Sequence, residues 1–441
     1  MHANHLPRLA TLVVMVTGQA ACAGGPPLQL PQAPTVVVVP APTNCRSVTA
    51  GASLAAALST AGPGDVLCLE PGIYVGRVTV PVGVTLWGGP DAVIKTDGSG
   101  TTVSLLGRTT LLGLTVDGSG GRFDVVDAAV RVNGEDIRVE GITIRNSVFG
   151  ILAEKSKRVT IRSNHIIGTG GPAFGLRGDG IRLWETYHSI VENNRVQDAR
   201  DCVVWYSSDN ILRGNEVRDG RYGVHFMYSH RNSVVGNRFL ANEVGTFVMY
   251  SRDLLLEGNA VLSSHGAASM GFGLKESGNV TVRNNLILHN ATGLFLDNSP
   301  LNPGDKNLFE GNILRLSETA VGFLASQKDN LFRRNSFRDN TIQVRVDGGG
   351  DAMGVTWEEN EWDDYVGFDL DGDGQGDVPY ELNDLADAME ARHAELGFLR
   401  GTPALALVSL VGHVAPLFAP KPVLRDPRPL MNFANGVQHA N

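Results

Sequence analysis

Short runs of alternating apolar and polar residues recur at a nearly constant spacing in the middle of the chain. The runs GIRLWET, CVVWYSS, GVHFMYS and GTFVMYS begin at Gly180, Cys202, Gly223 and Gly245. Each run leads to a polar corner and an asparagine, and these asparagines lie 21, 22 and 22 residues apart, at Asn194, Asn215, Asn237 and Asn259. A second column keeps the same spacing: Thr186, Ser207, Ser229 and Ser251. The pattern predicts an all-β fold, a right-handed parallel β-helix (solenoid) with coils of ~22 residues.

The alternation also predicts which side chains face the core. Two aligned sets are apolar or small and should point inward: Ile181, Cys202, Val224 and Thr246, and Leu183, Val204, Phe226 and Val248. The alternate positions should face solvent: Arg182, Val203, His225 and Phe247, and beside them Trp184, Trp205, Met227 and Met249. Because such an apolar stripe does not favour solubility, we expect a loop, a ligand or another protein to cover it.

The ends of the repeat define the domain organisation. Asparagine corners continue at Asn285, Asn312, Asn335 and Asn360, so the β-helix is predicted over residues 45–360. A short helix over 53–61, with Ser53 as its N-cap, precedes a Gly-Pro-Gly stop and resembles the N-terminal cap of pectate-lyase-like β-helices. An acidic loop (361–381) and a helical and extended proline-rich C-terminal tail (382–441) follow the β-helix.

The first 44 residues predict export. His2, His5 and Arg8 precede an apolar run too short to span a bilayer, so residues 1–22 read as a signal peptide and residues 23–44 as a proline-rich linker. Gln19-Ala20-Ala21-Cys22 resembles a lipoprotein signal, while Ala21-Cys22-Ala23 also fits ordinary cleavage. We favour lipidation at Cys22, and either route takes the protein out of the cytoplasm.

The cysteines and the net charge bear on the cellular compartment and on the class of partner. Cys45 and Cys68 are candidates for a disulfide in an oxidising compartment, and Cys202 falls on an inward position. The formal charge of −9, from 37 basic and 46 acidic residues, argues against a nucleic-acid partner, which requires a basic surface.

The acidic loop has the ligand spacing of a calcium site. Asp369, Asp371 and Asp373 alternate, Gly374 follows, and Asp377 stands at the ninth position. The twelfth position is a tyrosine, so a complete EF-hand loop is absent. The competing interpretation is an acidic turn that binds no ion.

A soft metal site is predicted on the outer surface of adjacent coils. His225, Met227 and Met249 offer imidazole and thioether donors, which suit Cu(I). From the residues alone, an apolar patch buried by a partner or by the C-terminal tail is the stronger interpretation. Trp184, Trp205 and Phe247 are the predicted partner-binding residues. His265 with Met270 is a weaker candidate of the same kind.

Three aspartates offer a catalytic alternative. Asp179, Asp201 and Asp219 recur near the coil spacing, as acidic residues do in β-helical polysaccharide lyases and glycosidases. The competing interpretation is that these aspartates hydrogen-bond the backbone at corners beside glycine.

Several motifs along the chain resemble one family. The segment 178–184 (GDGIRLW), the line 222–229 (YGVHFMYS), and Trp362-Asp-Asp-Tyr365 running into 369–380 are similar to the NosD family, and the resemblance extends from about Ser47 to Met431. It implies a non-enzymatic periplasmic β-helix protein of nitrous oxide reductase copper-site maturation. Such a protein docks on the membrane subunit of an ABC transporter and works with a copper chaperone lipoprotein and the reductase. The lipid anchor and long linker depart from what is expected of a typical member.

Three functions therefore compete. The leading one is a periplasmic docking protein that handles Cu(I) in nitrous oxide reductase maturation. The first alternative is an extracellular polysaccharide lyase or epimerase of pectate-lyase-like fold. The second is a carbohydrate-binding or adhesion module, because a β-helix by itself specifies no activity.

Overall fold

The computed structural model describes residues 29–35, 37–171, 173–266, 268–383, 389, 394–399, 402–414 and 422–431. The signal peptide predicted over 1–22 lies outside these ranges. None of the helices in the described ranges has the length and hydropathy needed to cross a bilayer.

The described chain confirms the predicted parallel β-helix. Its coils stack into three long parallel sheets, which we call sheets A, B and C, with 14, 13 and 12 strands. Sheet A contains Arg46–Val48, Val66–Leu69, Thr85–Gly88, Thr110–Leu112, Arg138–Glu140, Thr160–Arg162, Ile190–Glu192, Ile211–Arg213, Ser233–Val235, Leu255–Glu257, Thr281–Arg283, Asn307–Glu310, Asn330–Arg333 and Thr356–Glu358.

The other two sheets follow the same order along the rod. Sheet B contains Gly72–Val75, Ala92–Lys95, Thr115–Asp117, Thr143–Arg145, His165–Ile167, Arg195–Gln197, Glu216–Arg218, Arg238–Leu240, Ala260–Leu262, Leu286–Leu288, Ile313–Arg315, Ser336–Arg338 and Glu361–Trp362. Sheet C contains Val78–Val80, Val103–Leu105, Ala128–Val132, Phe149–Lys157, Ile181–Tyr187, Asp201–Trp205, Tyr222–Met227, Val244–Met249, Met270–Lys275, Thr292–Asp297, Thr319–Leu324 and Ile342–Asp347.

Inward side chains fill the coil in columns, as the alternation predicts. Val224 pairs with Thr246, and Phe226 with Val248, in register across neighbouring strands of sheet C. All four side chains are buried. At Gly223 a Cβ atom would come within 2.3 Å of the Gly245 carbonyl oxygen, so a larger residue would clash with the neighbouring coil.

The asparagine column is a continuous buried hydrogen-bond ladder. Each side-chain amide donates to the Oδ1 of the asparagine one coil further on at 2.9–3.0 Å, from Asn164 through to Asn360. The amide also donates to a main-chain carbonyl of the preceding coil, as from Asn237 to Leu212. Such ladders satisfy corner groups that would otherwise be buried without partners.

Both ends of the rod are capped. At the N-terminal end the predicted cap helix is present as Leu54–Ser59, with the Ser53 hydroxyl accepting from the Ala56 amide, and a disulfide joins Cys45 to Cys68. The preceding strand Arg46–Val48 was not predicted, because three residues give too short a pattern.

The C-terminal tail closes the other end. A short antiparallel pair, Tyr380–Leu382 with Leu424–Asp426, covers the last coil, and the Asp426 carboxylate accepts from the Asn360 amide at 3.0 Å. Asp426 therefore terminates the asparagine ladder. The predicted helical part of the tail is described as the 3₁₀ turn Ala394–Leu399 and the helix Pro403–Val414.

Residues 29–35 and 37–44, which we call the N-terminal strap, lie along the rod. The indole of Trp87 donates to the Val39 carbonyl at 3.0 Å, and Arg238 donates to the Pro31 carbonyl at 2.9 Å. The described part of the proline-rich linker predicted over 23–44 therefore contacts the rod. Proline-rich segments are extended and leave their carbonyls free, so arginines on the rod can bind them.

Candidate functional site

The site lies on the outer face of sheet C, on the strands Asp201–Trp205, Tyr222–Met227 and Val244–Met249. His225 stands between Val203 on one neighbouring strand and Phe247 on the other. Met227 stands in register with Trp205 and Met249. His225 alternates with the core residues Val224 and Phe226, so its side chain is on the outer face, as are those of Met227 and Met249.

The imidazole of His225 is held between two different partners. The Trp205 indole Nε1–H donates to His225 Nδ1 at 3.3 Å, and His225 Nε2 lies 3.1 Å from the sulfur of Met249. The ring of Tyr222 packs at 4.8 Å between centroids and that of Phe247 at 6.2 Å. One nitrogen and one thioether sulfur are thereby brought together from adjacent coils.

The positions Arg182, Val203, His225 and Phe247 were predicted to face solvent. This prediction is wrong for Val203 and His225. Val203 is 1% exposed and His225 7% exposed. Large rings on the same and neighbouring coils lean over them, and strand alternation alone does not report that cover. Trp184, Trp205, Met227 and Met249, which were also predicted to face solvent, are partly buried.

Burial sets the charge state of the imidazole. Loss of hydration lowers the pKa of His225 to about 4, with Arg221 and Arg200 acting in the same direction and Asp201 opposing them. The ring is therefore neutral at physiological pH and keeps one nitrogen lone pair. A neutral imidazole beside a thioether is the donor set that Cu(I) prefers, so these residues fit the metal.

Further thioether surface borders this pair. Met270 Sδ leans over Gly273, at 2.5 Å from the position a Cβ atom would occupy there, and the Phe247 ring lies against the same position. The weaker candidate pair, His265 with Met270, has different neighbours in the structure. The His265 ring packs edge-on against His289, at 4.6 Å between centroids.

The predicted partner-binding residues form a cationic and aromatic surface. Trp184 and Trp205 pack at 5.6 Å between centroids, and the Arg182 guanidinium lies 4.7 Å and 5.3 Å from their rings. Phe247 belongs to the neighbouring column, stacked on His225. The three aromatic side chains are partly buried, so each keeps some surface accessible.

An exposed tyrosine ladder beside this surface was missed. Tyr206, Tyr228 and Tyr250 stack at 5.5 and 4.9 Å between centroids, with φ angles of 49°, 50° and 50°. Tyr206 is 42% exposed and Tyr228 44%. The signal was present in the sequence, because each tyrosine directly precedes a serine of the second column.

Two of the three aspartates of the catalytic alternative lie close together, because the Arg200 guanidinium bonds Asp179 at 2.7 Å and Asp201 at 3.2 Å. Asp179 and Asp201 are buried and paired with arginines, Asp179 with Arg200 at 2.7 Å and Asp201 with Arg221 at 2.5 Å. Asp219 is partly exposed at another corner, paired with Arg218. Burial raises the pKa of Asp179. Both buried carboxylates thus have arginine partners that hold them in ion pairs.

The acidic loop brings three carboxylates together. Ligand oxygens of Asp369, Asp371 and Asp373 lie within 4.8 Å of one another. Each also accepts a main-chain amide of the loop, as in the 2.9 Å bond from Gly374 to Asp369. Asp377 accepts from the Leu370 amide at 2.6 Å. The geometry thus accommodates both the calcium site and the ion-free turn.

Fold and site together define a class: a parallel β-helix protein that carries an imidazole–thioether pair and an aromatic surface on one outer face. A sequence model of the family described as "Periplasmic copper-binding protein (NosD)" matches residues 165–367, which contain this site. The chain is similar to the NosD family over most of its length.

Two relatives carry the name "probable ABC transporter binding protein NosD". The protein from Stutzerimonas stutzeri is 29% identical over 393 residues, which cover 83% of this chain and 86% of that protein. The protein from Pseudomonas aeruginosa is also 29% identical, over 399 residues, covering 83% of this chain and 88% of that one.

Solved structures share the fold at low sequence identity. The A-module of the mannuronan C-5 epimerase AlgE6 from Azotobacter vinelandii is 17% identical, with a TM-score of 0.53 over 69% of this chain and 93% of that one. The catalytic unit of a GH87 α-1,3-glucanase from Streptomyces thermodiastaticus is 16% identical, with a TM-score of 0.56 over 73% and 71%. At this identity the likeness concerns the fold alone.

Proposed function

We propose that this protein is a periplasmic copper-handling protein that accepts Cu(I) between His225 and Met249. The observation that carries the proposal is the 3.1 Å approach of His225 Nε2 to the Met249 sulfur on an outer face. Met227, in register with Met249, adds a second thioether to the same face. Copper here is cargo, received from one protein and passed to another.

The similarity to the NosD family supports a wider role. We infer that the protein serves copper-site maturation of nitrous oxide reductase and docks on the membrane subunit of an ABC transporter. A copper chaperone lipoprotein supplies the metal and the reductase receives it. The names of the two relatives and the family description support the transporter and copper parts of this proposal. Trp184, Trp205 and Phe247 form the docking surface, beside the metal-accepting pair.

The compartment is the periplasm. A disulfide between Cys45 and Cys68 suits an oxidising compartment, and the family description is periplasmic. We further propose a lipid anchor at Cys22, which would hold the protein near the membrane that carries the transporter.

A binding role accounts for the site better than catalysis does. General acid–base chemistry requires a titratable group that faces a substrate with a pKa near the working pH. Asp179 and Asp201 are committed to arginines, and His225 is neutral and covered by Trp205, Tyr222 and Phe247.

Anaerobic titration with Cu(I) in the presence of a competing chelator tests the proposal. We expect one tightly bound Cu(I) per chain. Replacing the sulfur without changing the size of the side chain, as in Met249→Leu, should weaken the affinity at least tenfold, because a thioether ligand is lost. His225→Phe should abolish the site while conserving a ring in the same packing.

Met353→Leu is the matched control, since Met353 is an exposed methionine remote in sequence from the site. It should leave both stoichiometry and affinity unchanged. If Met249→Leu and His225→Phe bind Cu(I) as the unmodified protein does, copper is not held at this pair. The face would then keep a docking role only.

We also propose that the loop 369–377 binds calcium and stabilises the C-terminal cap. Three convergent carboxylates favour a hard cation with oxygen ligands. Saturating Ca²⁺ should raise the unfolding temperature by a few degrees, and Asp371→Asn should remove most of that increase. Asp351→Asn, an exposed acid outside the loop, is the control. An unchanged unfolding temperature in the unmodified protein would leave the loop as an ion-free acidic turn.

A further inference from the structure

The hydrogen bond between Trp205 and His225 determines which imidazole nitrogen carries the proton. An indole N–H donates and never accepts, so Nδ1, at 3.3 Å from Trp205 Nε1, must provide its lone pair to that bond. In a neutral imidazole the proton then lies on the other nitrogen, Nε2. Nε2 is the atom that faces the sulfur of Met249.

In this arrangement His225 and Met249 are not ready to bind copper. Copper between Nε2 and the Met249 sulfur requires a lone pair on Nε2, but the Trp205 bond favours a proton there. The 3.1 Å contact is accordingly an N–H to sulfur hydrogen bond in the metal-free protein. The two donor atoms are in position, and one is protonated.

We propose that Trp205 is a positioning residue that holds His225 in the tautomer unable to bind copper, and that copper entry requires this indole to release Nδ1. We call this arrangement the Trp205 latch. The inference rests on the proposed function, since it concerns regulation of the same site.

The step conserves protons and involves no change of oxidation state. The Trp205 Nε1–H to Nδ1 bond breaks, Nδ1 gains a proton from water, and Nε2 gives its proton to water. The freed lone pair on Nε2 then forms the bond to Cu(I). No net proton is released and no electron is transferred. The His225 ring itself stays in place, held between Tyr222 and Phe247.

The surroundings of Trp205 allow such a movement. Its ring is partly exposed and lies beyond the core, against Trp184 and the Arg182 side chain. It also belongs to the proposed docking surface. A protein that displaces the indole would open the copper site at the moment of contact, so that the site binds Cu(I) more tightly while the donor is docked.

Nuclear magnetic resonance of the metal-free protein tests the latch directly. With ¹⁵N-labelled histidine, long-range proton–nitrogen correlations report which ring nitrogen is protonated, and His225→Phe identifies the signal. We expect the Nε2–H form for His225 in the unmodified protein. Trp205→Phe, which conserves a ring but lacks the N–H, should give a mixture of the two tautomers.

The same variant should bind Cu(I) more tightly. Loss of one hydrogen bond that stabilises the closed form, worth about 1 kcal/mol, corresponds to an affinity increase of roughly five- to tenfold. Trp87→Phe is the matched control. It removes an indole hydrogen bond to Val39, far from the site, and should change neither the tautomer nor the affinity.

The outcomes separate the latch from the copper proposal. An Nδ1–H tautomer in the unmodified metal-free protein, or an unchanged or lower affinity in Trp205→Phe, overturns the latch and leaves copper binding intact. Absence of Cu(I) binding in the unmodified protein overturns the proposed function. The tautomer measurement uses the unmodified chain, so it tests the Trp205 latch even if Trp205→Phe does not fold.

Discussion

The outer faces of sheets A and C belong to the same rod and differ in how their columns are satisfied. On sheet A, acids and bases alternate along a column: Arg162 bonds Glu140 at 2.9 Å and approaches Glu192 at 3.4 Å, and Arg213 bonds Glu192 at 2.6 Å. Each charge finds its complement one coil away. Such a column needs nothing from outside the protein.

The middle of sheet C lacks this charge alternation. Trp205, Met227 and Met249 follow one another in register, and His225 stands beside them with a single weak bond to each side. Burying an imidazole costs free energy, and thioethers on a surface add no charge complementarity. The charge pairs of sheet A stabilise the rod, whereas the binding role proposed for this part of sheet C would come at some cost in stability.

The largest predicted effect is a loss of folding stability at low pH, caused by the burial of His225. The pKa of His225 is lowered to about 4 by burial, while an unfolded chain has the ordinary value of about 6.5. Between these values the unfolded state binds more protons, so stability falls as pH falls. The loss should reach about 3 kcal/mol at most. Urea unfolding of metal-free protein between pH 7.5 and pH 4.5 measures it.

His225→Phe isolates this contribution, because carboxyls such as Asp179 and Asp426, whose pKa values burial raises, titrate in both proteins. The variant should be at least as stable as the unmodified protein at pH 7.5 and should lose less stability on acidification. Parallel stability curves for the two proteins would show that the imidazole is not buried at a cost, and the contrast between the faces would lose its main support.

The repeat could be predicted from the sequence because residues at a fixed spacing contact one another on neighbouring coils. A side chain at Asn215 or Asn237 meets its counterpart one coil away wherever the fold is a solenoid, so spacing alone predicts the ladder. The same rule placed His225 and Met249 on one outer face. Cys202 was expected on an inward position, and it is buried there with its pKa raised to about 12 by burial.

Features that depend on residues far apart in the sequence or on side-chain rotamers could not be predicted from residue spacing. The cover over His225 depends on how the rings of Tyr222, Trp205 and Phe247 lean. The cap on the ladder comes from Asp426, 66 residues beyond Asn360. The N-terminal strap depends on arginines more than a hundred residues away, and no periodic signal connects these positions.

A smaller effect is predicted for the charged face. Glu192 is nearly buried at its carboxylate and bonds Arg213 while approaching Arg162. Glu192→Gln keeps the shape and removes the charge, and it should lower the free energy of unfolding by about 1–2 kcal/mol at low salt. The loss should shrink in 1 M NaCl, because salt weakens the ion pairs of the unmodified protein. Asp209→Asn, which breaks the exposed pair with Arg231, should cost less than about 0.5 kcal/mol. If Glu192→Gln were no worse than Asp209→Asn at either salt concentration, alternating charges would not stabilise sheet A. The absence of alternating charges from the middle of sheet C would then need no functional explanation.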